Sequence, residues 1–273
     1  MTRITDVFAR LRARGEKALI PYITAGDPDL DLTFQLVCEF ERQGADLIEL
    51  GVPFSEPMAD GPANQRAAER ALQGGTSLSR VLELVRRLRA ASVQLPIILF
   101  SYYNPIFRYG GQRFATDARA AGVDGVLGVD LPPEEADELK TETDRCDLDL
   151  IFLLAPTSSL ERARQVITRA RGFVYYVAVT GVTGARAALP EDLGEMVRRI
   201  RALSPVPVGV GFGISTPAQA AEVGRIADAV IVGSAISQLV ENNIGRPELV
   251  RTVGEFVGSL KRALRDLSVS FAT

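Results

Sequence analysis

The sequence contains no histidine and no tryptophan, and only two cysteines in 273 residues. Without histidine, a Ser-His-Asp or Cys-His nucleophile system is excluded, as is any metal site built on imidazole. Acid–base chemistry must then run on Asp, Glu, Tyr, Lys or Cys. The missing tryptophan implies nothing by itself. Cys38 and Cys146 lie far apart, within stretches of helical pattern, and read as buried thiols of a chain kept in a reducing compartment. No apolar run approaches the roughly 20 residues that span a bilayer. The N-terminus, Met1-Thr-Arg-Ile-Thr-Asp-Val-Phe, lacks the apolar core of a signal peptide, so a cytoplasmic location is expected. The formal net charge is −3 with acidic and basic residues interleaved, and no basic face for nucleic acid stands out.

What is present is a strict alternation. Short runs rich in Val, Ile and Leu recur at Ala18–Thr24, Asp46–Gly51, Pro96–Tyr102, Gly125–Asp130, Leu148–Leu154, Phe173–Val179, Val206–Gly211 and Ala229–Gly233. Each reads as a parallel strand buried on both faces. Amphipathic helical stretches separate them, at Leu30–Gln43, Leu78–Ala91, Gly111–Ala121, Pro133–Asp144, Leu160–Ala170, Glu191–Leu203 and Pro217–Val223. Pro247–Leu267 closes the chain, and Ile4–Arg14 adds a helix before the first strand. Eight β–α repeats with no linker predict an α/β fold, a (β/α)8 TIM barrel with an extra N-terminal helix, as one catalytic domain over 1–273. A doubly wound open sheet is the alternative, but no GxGxxG follows the first strand.

In such a barrel, function sits at the C-terminal ends of the strands. The most informative of these ends is Glu49-Leu-Gly-Val-Pro-Phe-Ser-Glu-Pro-Met-Ala-Asp60. Glu49 lies inside an apolar strand, where desolvation opposes its charged form and raises its pKa toward that of a general acid. Asp60, on a wetter loop, is the complementary base. The competing reading pairs Glu49 with an arginine across the barrel and lets Asp60 cap a helix. The seventh and eighth strand ends, Gly211-Phe-Gly-Ile-Ser215 and Gly233-Ser-Ala-Ile236, read as a phosphate site, with a short helix from Ser234 aiming its N-terminus at the anion. Those glycines could instead serve only as tight turns. Thr180-Gly-Val-Thr-Gly-Ala-Arg-Ala-Ala-Leu-Pro190 reads as a lid or as a plain long turn. Of Tyr175 and Tyr176, neighbours in the sixth strand, one must face the barrel interior.

Taken together, these stretches resemble the tryptophan synthase alpha subunit family. The matching segments are Pro21-Tyr-Ile-Thr-Ala-Gly-Asp-Pro28, Glu49-Leu-Gly-Val-Pro-Phe-Ser55, Ala59-Asp-Gly-Pro62, Tyr102-Tyr-Asn-Pro-Ile106, Gly181-Val-Thr-Gly184 and the two glycine turns. The resemblance runs essentially end to end. It implies a metal-free retro-aldol cleavage of indole-3-glycerol phosphate to indole and glyceraldehyde 3-phosphate. By that resemblance Glu49 protonates indole C3 and takes the glycerol hydroxyl proton, Asp60 accepts the N1 proton, and Tyr175 positions Glu49. Thr183 would bond Asp60 on lid closure, Gly184, Gly213, Gly233 and Ser234 would hold the phosphate, and Tyr22, Phe100, Leu127 and Phe212 would form the indole pocket.

The resemblance also implies a beta subunit as partner in an alpha2beta2 assembly, with the pyridoxal phosphate in that subunit and no cofactor in this chain. Pro53, Glu56 and Pro57 would face the partner. The segment Ser55-Glu-Pro-Met58 departs from the family's usual Ser-Asp-Pro-Leu, which bears on coupling to the partner. Asn64 stands where the family usually has an apolar residue near the indole. Two other functions fit the same fold: a free-standing indole-3-glycerol phosphate lyase, and a catalytically silent regulatory barrel.

Overall fold

The apolar runs form eight parallel strands, each hydrogen-bonded to the next, with the first and last paired to close a barrel. The computed structural model describes residues 2–178, 193–211 and 213–269. In chain order the strands are β1 (Ala18–Thr24), β2 (Ile48–Gly51), β3 (Ile97–Ser101), β4 (Gly125–Gly128), β5 (Asp149–Leu154), β6 (Val174–Val177), β7 (Val208–Gly211) and β8 (Ala229–Val232). The described helices are α1 (Arg3–Ala13), α2 (Leu30–Arg42), α3 (Pro62–Gln73), α4 (Leu78–Ala90), α5 (Tyr103–Tyr109) and α6 (Gly111–Ala121). They continue with α7 (Asp137–Arg145), α8 (Leu160–Arg169), α9 (Leu193–Leu203), α10 (Pro217–Ile226), α11 (Ser234–Glu241) and α12 (Leu249–Val269).

Alternation along each strand divides the apolar side chains into two cores. One lies between the barrel wall and the outer helices, with Phe40, Phe114, Val85 and Val166 among its fully buried members. The other fills the lumen, where Ile20, Leu47, Ile98, Ile151 and Phe173 meet. The extra helix α1 turns Ile4, Val7, Phe8 and Leu11 into that lumen. Phe8 reaches Phe173 with ring centroids 5.8 Å apart. Thr2 starts the helix as its N-cap, accepting from the Thr5 amide, and its hydroxyl donates to Asp149 at 2.5 Å. The N-terminal mouth of the barrel is thereby plugged, and the opposite mouth is left for the site.

Three aspartates fix the register at the plugged end. Asp46 accepts from the Leu19 amide at 2.8 Å, Asp124 from Ile97 at 2.8 Å and Asp228 from Val208 at 3.0 Å. Each stands one or two positions before an even-numbered strand and bonds back to the preceding odd-numbered one. Each is also paired with a cation from a surrounding helix: Lys261 at 2.7 Å, Arg89 at 2.6 Å and Arg201 at 2.8 Å. The fully buried Lys261 also donates to the Lys17 carbonyl at 3.1 Å.

The expected strands all form, most of them shorter at their ends. Asp46 falls outside β2 because its side chain serves the clamp just described. The expected helix over Pro133–Asp144 divides into a short 3-10 turn at Pro133–Glu135 and α7. Two helices have no counterpart in the sequence reading. Helix α3 buries mainly the alanines Ala67, Ala68 and Ala71, too weak an apolar stripe to show a helical period. Helix α5 carries Pro105 in its first turn, where the missing amide proton breaks no intrahelical bond.

Candidate active site

Because side chains alternate, the register fixes which residues share the lumen. Tyr22 of β1 and Ile98 of β3 flank Glu49 of β2. Glu49 is 0% exposed. Among the described residues, neither of its carboxyl oxygens has a hydrogen-bond partner and no arginine pairs with it. An unpaired buried carboxyl is held neutral by desolvation, and burial here pushes its pKa up to about 8. At pH 7 Glu49 therefore carries a proton that it can give to whatever enters the barrel mouth.

Asp60 lies beyond β2, where Pro53 and Pro57 forbid a continued strand. Its amide donates to the Pro57 carbonyl at 3.0 Å, and its own carbonyl accepts from the Gln65 side chain at 2.8 Å. Gly61, not Asp60, is the N-cap of α3, so the capping alternative does not hold. The Asp60 carboxylate instead accepts from the Tyr102 hydroxyl at 3.1 Å. Burial raises its pKa to about 6, and the Tyr102 hydroxyl and the nearby Asn64 amide oppose the rise. Asp60 is less wet than expected, yet mostly ionised at pH 7. Two carboxyls thus stand at one cavity with opposite protonation, which is what paired acid and base chemistry needs.

The cavity holds about 180 Å³ and lies at the C-terminal ends of the strands. Glu49, Asp60, Tyr22, Phe100 and Tyr175 line one part of it; Gly213, Gly233 and Ser234 line another. Glycine makes the lumen wide enough for two tyrosines. A Cβ on Gly51 would fall 2.3 Å from the Tyr22 hydroxyl, and one on Gly211 would fall 2.3 Å from that of Tyr175. Helix α11 begins at Ser234. Its first amides have no carbonyl of their own helix to bond, and the helix dipole favours an anion there. The pocket therefore joins an apolar, acid-bearing chamber to an anion-accepting turn.

The structure brings together Tyr22, Glu49, Asp60, Phe100, Tyr175, Gly213, Gly233 and Ser234 of the expected residues. Tyr175 faces the lumen as one of the tyrosine pair had to, but Glu49 accepts no bond from it. Leu127 is fully buried among the lumen side chains and is not at the cavity wall. Val129, two positions further on, lines it instead. Thr183, Gly184, Phe212 and the lid Thr180–Pro190 lie outside the described residues. Pro53 is buried, Pro57 half-buried and Glu56 exposed on the loop ahead of α3. Sequence reasoning assigned no role to Tyr102, nor to the wall residues Leu153, Val177, Ile214 and Ile231. Counting alternate positions from Glu49 and Tyr175 would have found the strand members.

Comparison with known proteins agrees with this geometry. The family model described as tryptophan synthase alpha chain matches residues 8–265. The chain is 58% identical over 264 residues to the tryptophan synthase alpha chain of Citrifermentans bemidjiense, spanning 97% of this chain and 98% of the relative. It is 56% identical to that of Geobacter sulfurreducens over 264 residues, spanning 97% and 99%. Among solved structures it is similar to tryptophan synthase subunit alpha from Legionella pneumophila, with a TM-score of 0.88, 40% identity and coverage of 97% and 99%. A chain of Mycobacterium tuberculosis tryptophan synthase superposes with a TM-score of 0.89 at 38% identity, covering 97% and 98%.

Proposed function

The chain belongs to the tryptophan synthase alpha chain family, and on that premise we propose how its own residues perform the family's reaction. It is a lyase of tryptophan biosynthesis that cleaves indole-3-glycerol phosphate to indole and glyceraldehyde 3-phosphate. The carrying observation is a neutral Glu49, with no hydrogen-bond partner among the described residues, in one cavity with an ionised Asp60.

The phosphate seats against Gly213, Gly233 and the first turn of α11, and the indole lies between Tyr22, Phe100 and Tyr175. Glu49 donates its proton to indole C3 while Asp60 takes the proton from N1, giving the indolenine tautomer. The fixed anion stabilises the positive character that develops at N1. Glu49, now a carboxylate, removes the proton of the side-chain hydroxyl next to C3. The bond from that carbon to C3 breaks, an aldehyde forms, and the electron pair returns to the ring. Asp60 gives its proton back to N1, so both carboxyls end as they began.

A beta subunit is the partner, in an alpha2beta2 assembly that holds its pyridoxal phosphate in that subunit. The loop with Pro53, Glu56 and Pro57 supports this reading, because it carries Asp60 and exposes Glu56 and Met58 at the rim. A partner that favours one arrangement of this loop shifts turnover only by its differential affinity for that arrangement. A cytoplasmic setting fits a chain in which no helix of the described residues is long and apolar enough to cross a membrane.

Indole release from indole-3-glycerol phosphate by the purified chain, with and without the beta subunit, tests the reading. Release that the partner accelerates is expected. Full turnover without the partner would make the chain a free-standing lyase, and none in either condition would overturn the assignment.

A further inference from the structure

The cavity has two functional ends, and the helices behind them are joined. Asp60 leads into α3, whose N-cap is Gly61, and Ser234 opens α11 at the anion-accepting end. Three side chains of α3 reach across to α11. Asn64 Oδ1 accepts the Ser237 hydroxyl proton at 2.8 Å. Arg66 holds both carboxylate oxygens of Glu241, each at 2.7 Å, and Arg70 donates from Nη1 to Glu241 at 2.8 Å. Arg70 also reaches a third element. Its Nε and Nη2 donate to the two oxygens of Asp27 at 2.7 and 3.0 Å. Asp27 is buried and lies three residues past β1, the strand that puts Tyr22 into the cavity. One planar guanidinium therefore ties the loop after β1, α3 and α11 to one another. Arg66 is 46% exposed and Arg70 24%, so the sheltered bidentate pair of Arg70 is the firmer of the two links.

We infer that Arg70 is a positioning residue for the reaction: by bridging Asp27 and Glu241 it holds the helix that receives the phosphate in register with the helix that leads out of the Asp60 loop, so that an anion bound at one end of the cavity acts on the carboxylate at the other. The inference rests on the reaction assigned above. Arg70 does not line the cavity and acts only through the elements it joins. A non-reacting phosphate speeds the chemical step only where the scaffold carries its binding energy to the reacting end. The bridge is such a connection, because a small misplacement of a catalytic group is costly. Lysine cannot replace it: a point ammonium lacks the fork that meets three oxygens on two carboxylates. A plain stabilising role for Arg70 would leave the response of Asp60 to an anion unchanged, and that difference is measurable.

The test uses the full chain as parent, Arg70→Lys, Glu241→Ala and the double variant, with two readouts. The first is the NMR signal of the Asp60 carboxyl carbon during titration with inorganic phosphate; the second is kcat and KM for indole release. Arg70→Lys keeps a cation beside the buried Asp27 and removes the fork. In the parent the Asp60 signal should move as phosphate saturates its site. In Arg70→Lys phosphate should bind within about twofold of the parent, while the movement of the Asp60 signal falls to less than about half. The direct field of the phosphate is the same in both proteins and cannot produce that difference. Correspondingly, kcat should fall about tenfold with KM nearly unchanged. Glu241→Ala should act in the same direction, and the double variant should be no worse than Arg70→Lys, because both break one bridge. An Asp60 response equal to the parent's, or a kcat within twofold of it, would overturn the inference and leave the reaction standing, as would additive effects of the two substitutions. If Arg70→Lys does not fold, Glu241→Ala, at the more exposed side of the bridge, decides by the same two readouts. No indole release by the parent would overturn the reaction itself, and this inference with it.

Discussion

The Tyr102 hydroxyl accepts the Ala59 amide proton at 2.9 Å and donates its own to Asp60 at 3.1 Å. One phenol thus fixes both the backbone and the carboxylate of the loop. It is itself held by the ring of Phe54, with centroids 5.1 Å apart. Because the Ala59 amide can only donate, the phenol proton is directed to Asp60.

Tyr102→Phe keeps the ring contact and removes the donor. The anion of Asp60 loses support, so its pKa rises and the acidic limb of kcat/KM moves upward. The expected loss is about threefold to tenfold at pH 7 and greater at pH 6. A uniform loss at all pH values would show that Tyr102 acts only on loop shape.

The parent itself should show a bell. Asp60 must be ionised, which requires pH above about 6. Glu49 must be protonated, which requires pH below about 8. The measured kcat/KM should therefore peak near neutrality and fall on either side. A profile that is flat to pH 10 would remove Glu49 as the acid of the free enzyme.

Glu49 should also destabilise the fold as pH rises. Its pKa stands at about 8 in the folded chain against an ordinary 4.5. Below the ordinary value both states hold the proton; between the two values only the folded state keeps it. Stability is then lost steadily with rising pH and levels off above the folded value. Glu49→Gln has no such dependence. It should match the parent near pH 4.5 and exceed it by a few kcal/mol near pH 8, about 1.4 kcal/mol for each pH unit between. Denaturant titrations of both proteins across that range check the sign.

Room for Tyr22 depends on Gly51. A Cβ there would meet the phenol oxygen at 2.3 Å and ring carbons at 2.8 and 2.9 Å. Gly51→Ala is expected to destabilise the chain by about 1–3 kcal/mol through overpacking. The same substitution should be milder in a Tyr22→Leu background. An equal loss of melting temperature in both backgrounds would place the strain elsewhere.

Most of this arrangement was legible because it rests on alternation and on a misplaced charge. Val, Ile and Leu runs at regular intervals give the strands, and a glutamate inside one of them announces its own desolvation. The sequence reading placed the pocket residue at Leu127, two positions short of Val129, because the strand Gly125-Val-Leu-Gly128 is apolar throughout and offers no polar marker of depth. Val129, just past the strand, reaches the cavity instead. The role of Tyr102 depends on a contact across 42 positions of sequence, which no local pattern encodes. Helix α3, which presents Asn64, hid behind its alanines.

The central claim is that Glu49 is the proton donor and acceptor at the carbon–carbon bond. Indole release by Glu49→Gln, measured against the parent at pH 7 with glycerol 3-phosphate affinity followed in parallel, tests it most directly. The glutamine keeps the volume and removes the proton transfer, so cleavage should fall by at least about 10²–10⁴-fold while phosphate affinity is unchanged. Cleavage within tenfold of the parent would contradict the account.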